Sequence, residues 1–172
     1  MGRDDSWEGL MRWRPSEPPL GKGPAAELEP VRILTLELLL EGFVASSGQR
    51  ITDILLRGDG LPFLPAGADP APDNWVLVAA DDLLAVVPPP LRSPPVTQRQ
   101  VIQRRAFAET GPYRITGAAH LRAHETLDEG FRKRQPFLPL TTATLTHRDR
   151  QSEDVAVVIV NLDKCQTFGL VV

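Results

Sequence analysis

The sequence predicts a mainly β fold: two tandem five-stranded small β-barrels, each with one short helix. Three observations carry this. Apolar residues either alternate with polar ones or run unbroken for a few positions, which is strand patterning. Helical spacings are short. And the landmarks of one half recur, in order, in the other.

The first unit spans 31–88. Leu34, Leu36, Leu38 and Leu40 alternate with Thr35, Glu37, Leu39 and Glu41, giving a strand with one buried face. Gly42 allows a bend, and Ser46 to Gly48 make a turn. Ile51, Ile54 and Leu55 at i, i+3, i+4 give a turn or two of helix. Phe63 and Leu64 form a short strand, and Pro, Gly and Asp fill 65–73 as a loop. WVLVAA (75–80) is a buried strand, Asp81 and Asp82 a tight turn, and LLAVV (83–87) a closing strand. A stiff proline-rich linker follows over 89–98.

The second unit spans 99–172. A strand lies in VIQRRAF (101–107), and Thr110, Gly111 and Pro112 turn the chain. Tyr113 and Ile115 alternate with Arg114 and Thr116 up to Gly117. Thr126 opens a helix with Glu129 three residues on, a capping-box spacing, and Leu127 and Phe131 form its apolar face. PFLPL (136–140) is a strand, THRDRQSED (146–154) a polar loop, and VAVVIV (155–160) a buried strand. A turn at 161–164 and a last strand through Phe168 close the unit.

Side by side, Gly42 matches Gly117, and Ile51 and Leu55 match Leu127 and Phe131. PFLP occurs at 62–65 and at 136–139. WVLVAADDLLAVV matches VVIVNLDKCQTFG, with Asp81 opposite Asp163. Four landmarks in one order point to an internal repeat. This order, with its very short last turn, resembles the SH3-like and Sm-like small barrels over 31–88 and 99–172. The strand-Gly, short helix, PFLPL-type strand and closing hairpin also resemble an uncharacterised bacterial family with no assigned activity. The Arg-Gly pair that Sm proteins place in the last turn is absent, since AADDLL and VNLDKC stand there. RNA binding is therefore not implied residue by residue.

Residues 1–30 read as a disordered tail punctuated by Pro and Gly. Trp7, Leu10 and Met11 share one face of a short helix, with Trp13 just beyond, which is the pattern of a partner-docking motif. MGRDDS fits the loose myristoylation pattern poorly, with two acids beside the glycine. No apolar run is long enough to cross a membrane as a helix. The lone cysteine, Cys165, forbids an internal disulfide and fits a cytoplasmic protein.

Net charge is −3, divided unevenly: residues 31–88 carry 3 basic and 8 acidic groups, residues 89–172 carry 12 and 8. Opposite signs favour association between units or between chains. Arg104, Arg105, Arg132, Lys133 and Arg134 mark a possible nucleic-acid face on the second unit.

Chemistry is sparse. His120 and His124 are four apart, with Glu125, Asp128 and His147 as further donors, but in strand and turn surroundings that spacing does not make a metal site. Cys165 matches Leu83, a packing position. The acid pairs 81–82, 128–129 and 153–154 suit turns and a helix start. No catalytic, metal or cofactor residues are assigned. The expected function is a non-enzymatic protein-binding or scaffolding role with possible homo-oligomers. Nucleic-acid binding by the second unit is one alternative, and a small ligand between the units is the other.

Overall fold

In the computed structural model, which describes residues 27–46, 48–58, 60–90, 101–149 and 151–171, the chain opens with a hairpin. Strand β1 (Leu28–Leu34) turns into β2 (Leu39–Ala45). The alternation over 34–40 predicts one strand there. Instead Thr35 stops it. Its backbone N–H and its hydroxyl both donate to the Leu38 carbonyl, while that hydroxyl accepts from the Leu38 N–H at 3.0 Å. This closes a tight turn and leaves Leu36 65% exposed, although alternation would bury it. The strand also begins three residues inside the expected tail, at Leu28.

Helix α1 (Ile51–Leu55) buries Ile51 and Leu55, as their spacing predicts. Strands β3 (Leu61–Pro65), β4 (Val76–Val78) and β5 (Ala85–Val87) follow, and a 3-10 turn (Ala80–Asp82) separates the last two. Beyond the linker, β6 (Val101–Thr110) and β7 (Tyr113–Arg122) form a long hairpin about Gly111 and Pro112. Helix α2 (Glu129–Arg134) precedes β8 (Phe137–His147), then β9 (Glu153–Asn161), a 3-10 turn (Leu162–Lys164) and β10 (Thr167–Leu170). The α2 cap falls two residues later than expected. Asp128 accepts from the Phe131 N–H at 2.8 Å, and the Thr126 hydroxyl donates to Asp128. The expected 146–154 loop is shorter too, because β8 continues through Thr146 and His147, and Glu153 and Asp154 already belong to β9.

All ten strands form one antiparallel ladder in the order β10-β6-β7-β8-β9-β5-β1-β2-β3-β4. Two separate sheets do not form because β5 has both edges occupied. It pairs β1 through Ile33–Val86 and β9 through Val86–Ile159. Among the described residues no helix is long and apolar enough to cross a membrane.

The core has two parts, and β5 and β9 belong to both. Ala85, Val87, Val158 and Val160 pack with Ile115, Phe131 and Leu140. The alternate residues Val86, Val157 and Ile159 pack with Ile33, Leu55 and Phe63. One sheet thus carries a core on each face at its centre. That is why LLAVV and Val157 to Val160 lack polar alternation: neither face of these stretches meets water, whereas Ala156, earlier in the run, is exposed.

Pairing runs alike in the two halves, with one difference from the sequence match. Val31 faces Gly42 as Ala106 faces Gly117. Pro62 and Phe63 face Leu77 and Val76, while Pro139 and Leu140 face Ile159 and Val158. Phe63 therefore corresponds to Leu140, three residues past the Phe137 that the PFLP match suggests. The glycines agree: a Cβ on Gly42 would strike the Phe63 ring and the Leu64 carbonyl, and one on Gly117 would crowd Leu140 and the Thr141 carbonyl. Phe137 instead packs in the other core, beside Phe63.

Asn161, 4% exposed, locks the junction. Its amide donates to the Leu83 carbonyl at 2.9 Å and the Ala80 carbonyl at 3.2 Å, and its side-chain oxygen accepts from the Asp163 N–H. Its backbone N–H donates to the Leu84 carbonyl. Arg32 adds a two-pronged pair to Glu153 at 2.7 and 3.0 Å.

Removing the amide strands the buried Leu83 carbonyl and the part-buried Ala80 carbonyl, so Asn161→Ala should lower stability by about 2–3 kcal/mol. Denaturant unfolding should show one transition for both cores, because they share β5 and β9; two well-separated transitions would contradict the shared core. Gly42→Ala should cost about 3 kcal/mol through the forced overlap with the Phe63 ring.

Candidate functional site

Among the described residues, the ladder leaves one strand at each end with a neighbour on one side only, β4 and β10. Both are apolar, and an unpaired apolar edge offers backbone donors and acceptors to another strand.

The β4 edge follows a proline-initiated 3-10 turn (Pro72–Asn74), fixed by the Asn74 side chain donating to the Asp69 carbonyl at 2.9 Å. Trp75 enters the strand with its indole nitrogen buried and without a partner among the described residues. Val76 and Leu77 are half-buried and Val78 is buried. The β10 edge is held from its inner side. The Thr110 hydroxyl donates to the Lys164 carbonyl, Gln166 N–H donates to the Glu109 carbonyl, and Val171 N–H donates to the Arg105 carbonyl. Antiparallel alternation then turns the N–H groups of Phe168 and Leu170 outward. The Phe107 ring lies over Gly169, where a Cβ would come within 3.0 Å of it.

Between the tight turns lies a cleft of about 280 Å³, lined by residues including Leu36, Leu38, Asp81, Leu84 and Lys164. At its rim Lys164 Nζ is 3.3 Å from Asp81 Oδ1, an ion pair across the two halves, and Glu37 and Asp82 also line it. Cys165 is not activated. Burial pushes its thiol up to about 11, against a smaller lowering by Arg132 and a smaller raising by Asp163. Its Sγ donates to the Asn161 carbonyl at 3.4 Å. A second, apolar groove of about 390 Å³ runs between α1 and Pro88–Pro90, floored by Pro139, Val157 and Ile159.

The residues singled out from sequence are scattered. Trp7, Leu10, Met11 and Trp13 lie outside the described residues. Arg104 and Arg105 are exposed on β6, and Lys133 and Arg134 are exposed on α2. Arg132 does not join them, because its guanidinium donates to the Leu162 carbonyl beneath the last turn. His120 is bonded to Thr141 at 2.8 Å, His124 sits exposed in a turn, and His147 packs edge-on to Tyr113 and accepts from the Asp149 N–H. Among the described residues no three His, Cys, Asp or Glu side chains gather to hold a metal. Sequence reasoning missed Asn161 and the β5–β9 pairing. The signal for the pairing was the unbroken apolar pattern of both strands. For Asn161 there was only a polar residue at the end of such a run.

No family model, curated protein or solved structure matches the chain.

A thiol raised from 9.0 to about 11 holds roughly 100-fold less thiolate below pH 9. Alkylation of Cys165 at pH 8 should be slower by about that factor in the native protein than in urea. Because the folded value lies above the unfolded one, the thiol's contribution to stability is present below pH 9 and lost between pH 9 and 11. Cys165→Ala should remove that alkaline loss in pH-dependent unfolding.

Proposed function

We propose that this chain is a non-enzymatic protein-binding and scaffolding module, built from a duplicated five-strand unit curled as a small barrel, that engages partners by strand addition at its edges. The observation that carries this is the pair of apolar edge strands, β4 and β10, at opposite ends of one ladder. Duplication is supported by the strand order, which is β5-β1-β2-β3-β4 in one half and β10-β6-β7-β8-β9 in the other, and by the matched glycine contacts. Strand addition draws affinity from backbone bonds and specificity from alternate side chains. The lone cysteine, with its thiol protonated at neutral pH, supports work in a reducing compartment such as the cytoplasm. The Trp7–Trp13 segment is proposed as a second docking element.

Leu77→Lys and Phe168→Lys test the edges. The lysine stem still covers the core, whereas its ammonium cannot be sealed inside a paired junction. Purified partners recovered on the native chain should be lost on the double variant while its thermal melt stays cooperative. Recovery unchanged by the double variant would refute edge binding. Deletion of residues 1–26, which spares β1, should remove only those partners held by the tryptophan segment.

A further inference from the structure

We propose that the partner of these edges is a second copy of the chain, joined head to tail with β10 of one molecule antiparallel to β4 of the next. This rests on the duplicated, edge-binding reading above.

The chain already contains the contact. At its centre the closing strand of the first half, β5, pairs with the penultimate strand of the second, β9, through Ala85–Val160 and Val86–Ile159. The 3-10 turns Ala80–Asp82 and Leu162–Lys164 put the corresponding strands of the halves 82 residues apart. On that spacing β10 is the counterpart of β5, and β4 is the counterpart of β9. Among the described residues they are the two strands left unpaired on one side. Repeating the junction sets Thr167 opposite Val78, and Phe168 opposite Leu77, of the next molecule.

Burial shows what the contact would cover. Ile159 is 3% exposed inside the junction, while its counterpart Leu77 is half-buried at an edge. Val86 is 1% exposed, while its counterpart Phe168 is half-buried. Charge agrees with this direction, since β4 belongs to the acidic half and β10 to the basic one. The two edges differ, so each molecule added by this contact keeps one edge free. Such a heterologous contact builds a ring or an open filament, not a closed two-fold dimer.

Two internal features are not repeated. The counterpart of Asn161 at that spacing is Ala79, so no amide locks the contact. Lys164 pairs with Asp81 across the central junction. Between molecules the equivalent positions are Asp82 and Asp163, two acids. The contact between copies is therefore weaker than the internal one. Asp82→Lys restores the opposite pair and should tighten self-association about threefold at low salt, the range of an exposed ion pair.

Disulfide trapping tests the pairing directly. Two proteins are prepared on a Cys165→Ala background, one with Leu77→Cys and one with Phe168→Cys and a size tag. Opposed residues of an antiparallel ladder lie within disulfide reach. On mixing and mild oxidation the mixed 77–168 product should dominate, and native protein should scatter light as multiples of 18.9 kDa. Like-with-like products at or above the statistical share would overturn the head-to-tail pairing. So would a monomer that forms no cross-link at about 100 µM, the weak end of protein association. If the chain proves monomeric but Leu77→Lys and Phe168→Lys still abolish binding of other proteins, self-pairing falls and edge binding stands. If the edge variants change nothing, both fall.

Discussion

The pairing of β5 with β9 is the constraint on which the molecule rests. Its two strands come from opposite halves, with Ala85 and Val160 facing each other across a long sequence separation. Each strand sends alternate side chains into a different core. Neither core is complete without a strand lent by the other half. The small size of each half makes this intelligible. A five-strand unit alone buries too little apolar surface to be robust. Sharing the central strands lets two marginal cores support each other.

Polar chemistry at the junction serves alignment. Because side chains alternate along a strand, a slip of one residue between β5 and β9 would swap the two cores' residues. Most of those residues are Val, Ile or Ala, so apolar packing alone discriminates weakly between registers. Asn161 removes the ambiguity. Its amide fits only where the Leu83 and Ala80 carbonyls converge, and it sits at the end of β9 where the strand must stop. The Arg32–Glu153 pair marks the other end of the same interface.

Several elements were legible in the sequence because local pattern decides them. Ile51 and Leu55 announce α1, the turn at 161–164 follows a long apolar run, and VAVVIV and LLAVV announce buried strands. The first hairpin was not legible, since the period-two pattern of Leu34 to Leu40 runs straight through a turn that a single threonine hydroxyl closes. Nor was the pairing position of Phe63. Identical tetrapeptides pointed to Phe137, whereas the ladder assigns Leu140, because pairing depends on partners distant in sequence. Of the interaction edges, the strands themselves could be read. Their position at the ends of the sheet could not, because an end is a property of the whole pairing order.

The two-sided burial of β9 has a consequence for the chain before it folds. Val155 to Val160 is an uncharged run, β-branched at every position but Ala156 and without proline or glycine, the composition that stacks into amyloid-like zippers. Its safety depends on being paired early on both sides. Glu153 and Asp154 stand immediately before it, and Asp163 and Lys164 soon after, so charge flanks the run during that interval. Cutting the chain between the halves would not release two independent domains. It would leave this run bare on one edge and one face, and the fragment would be governed by aggregation.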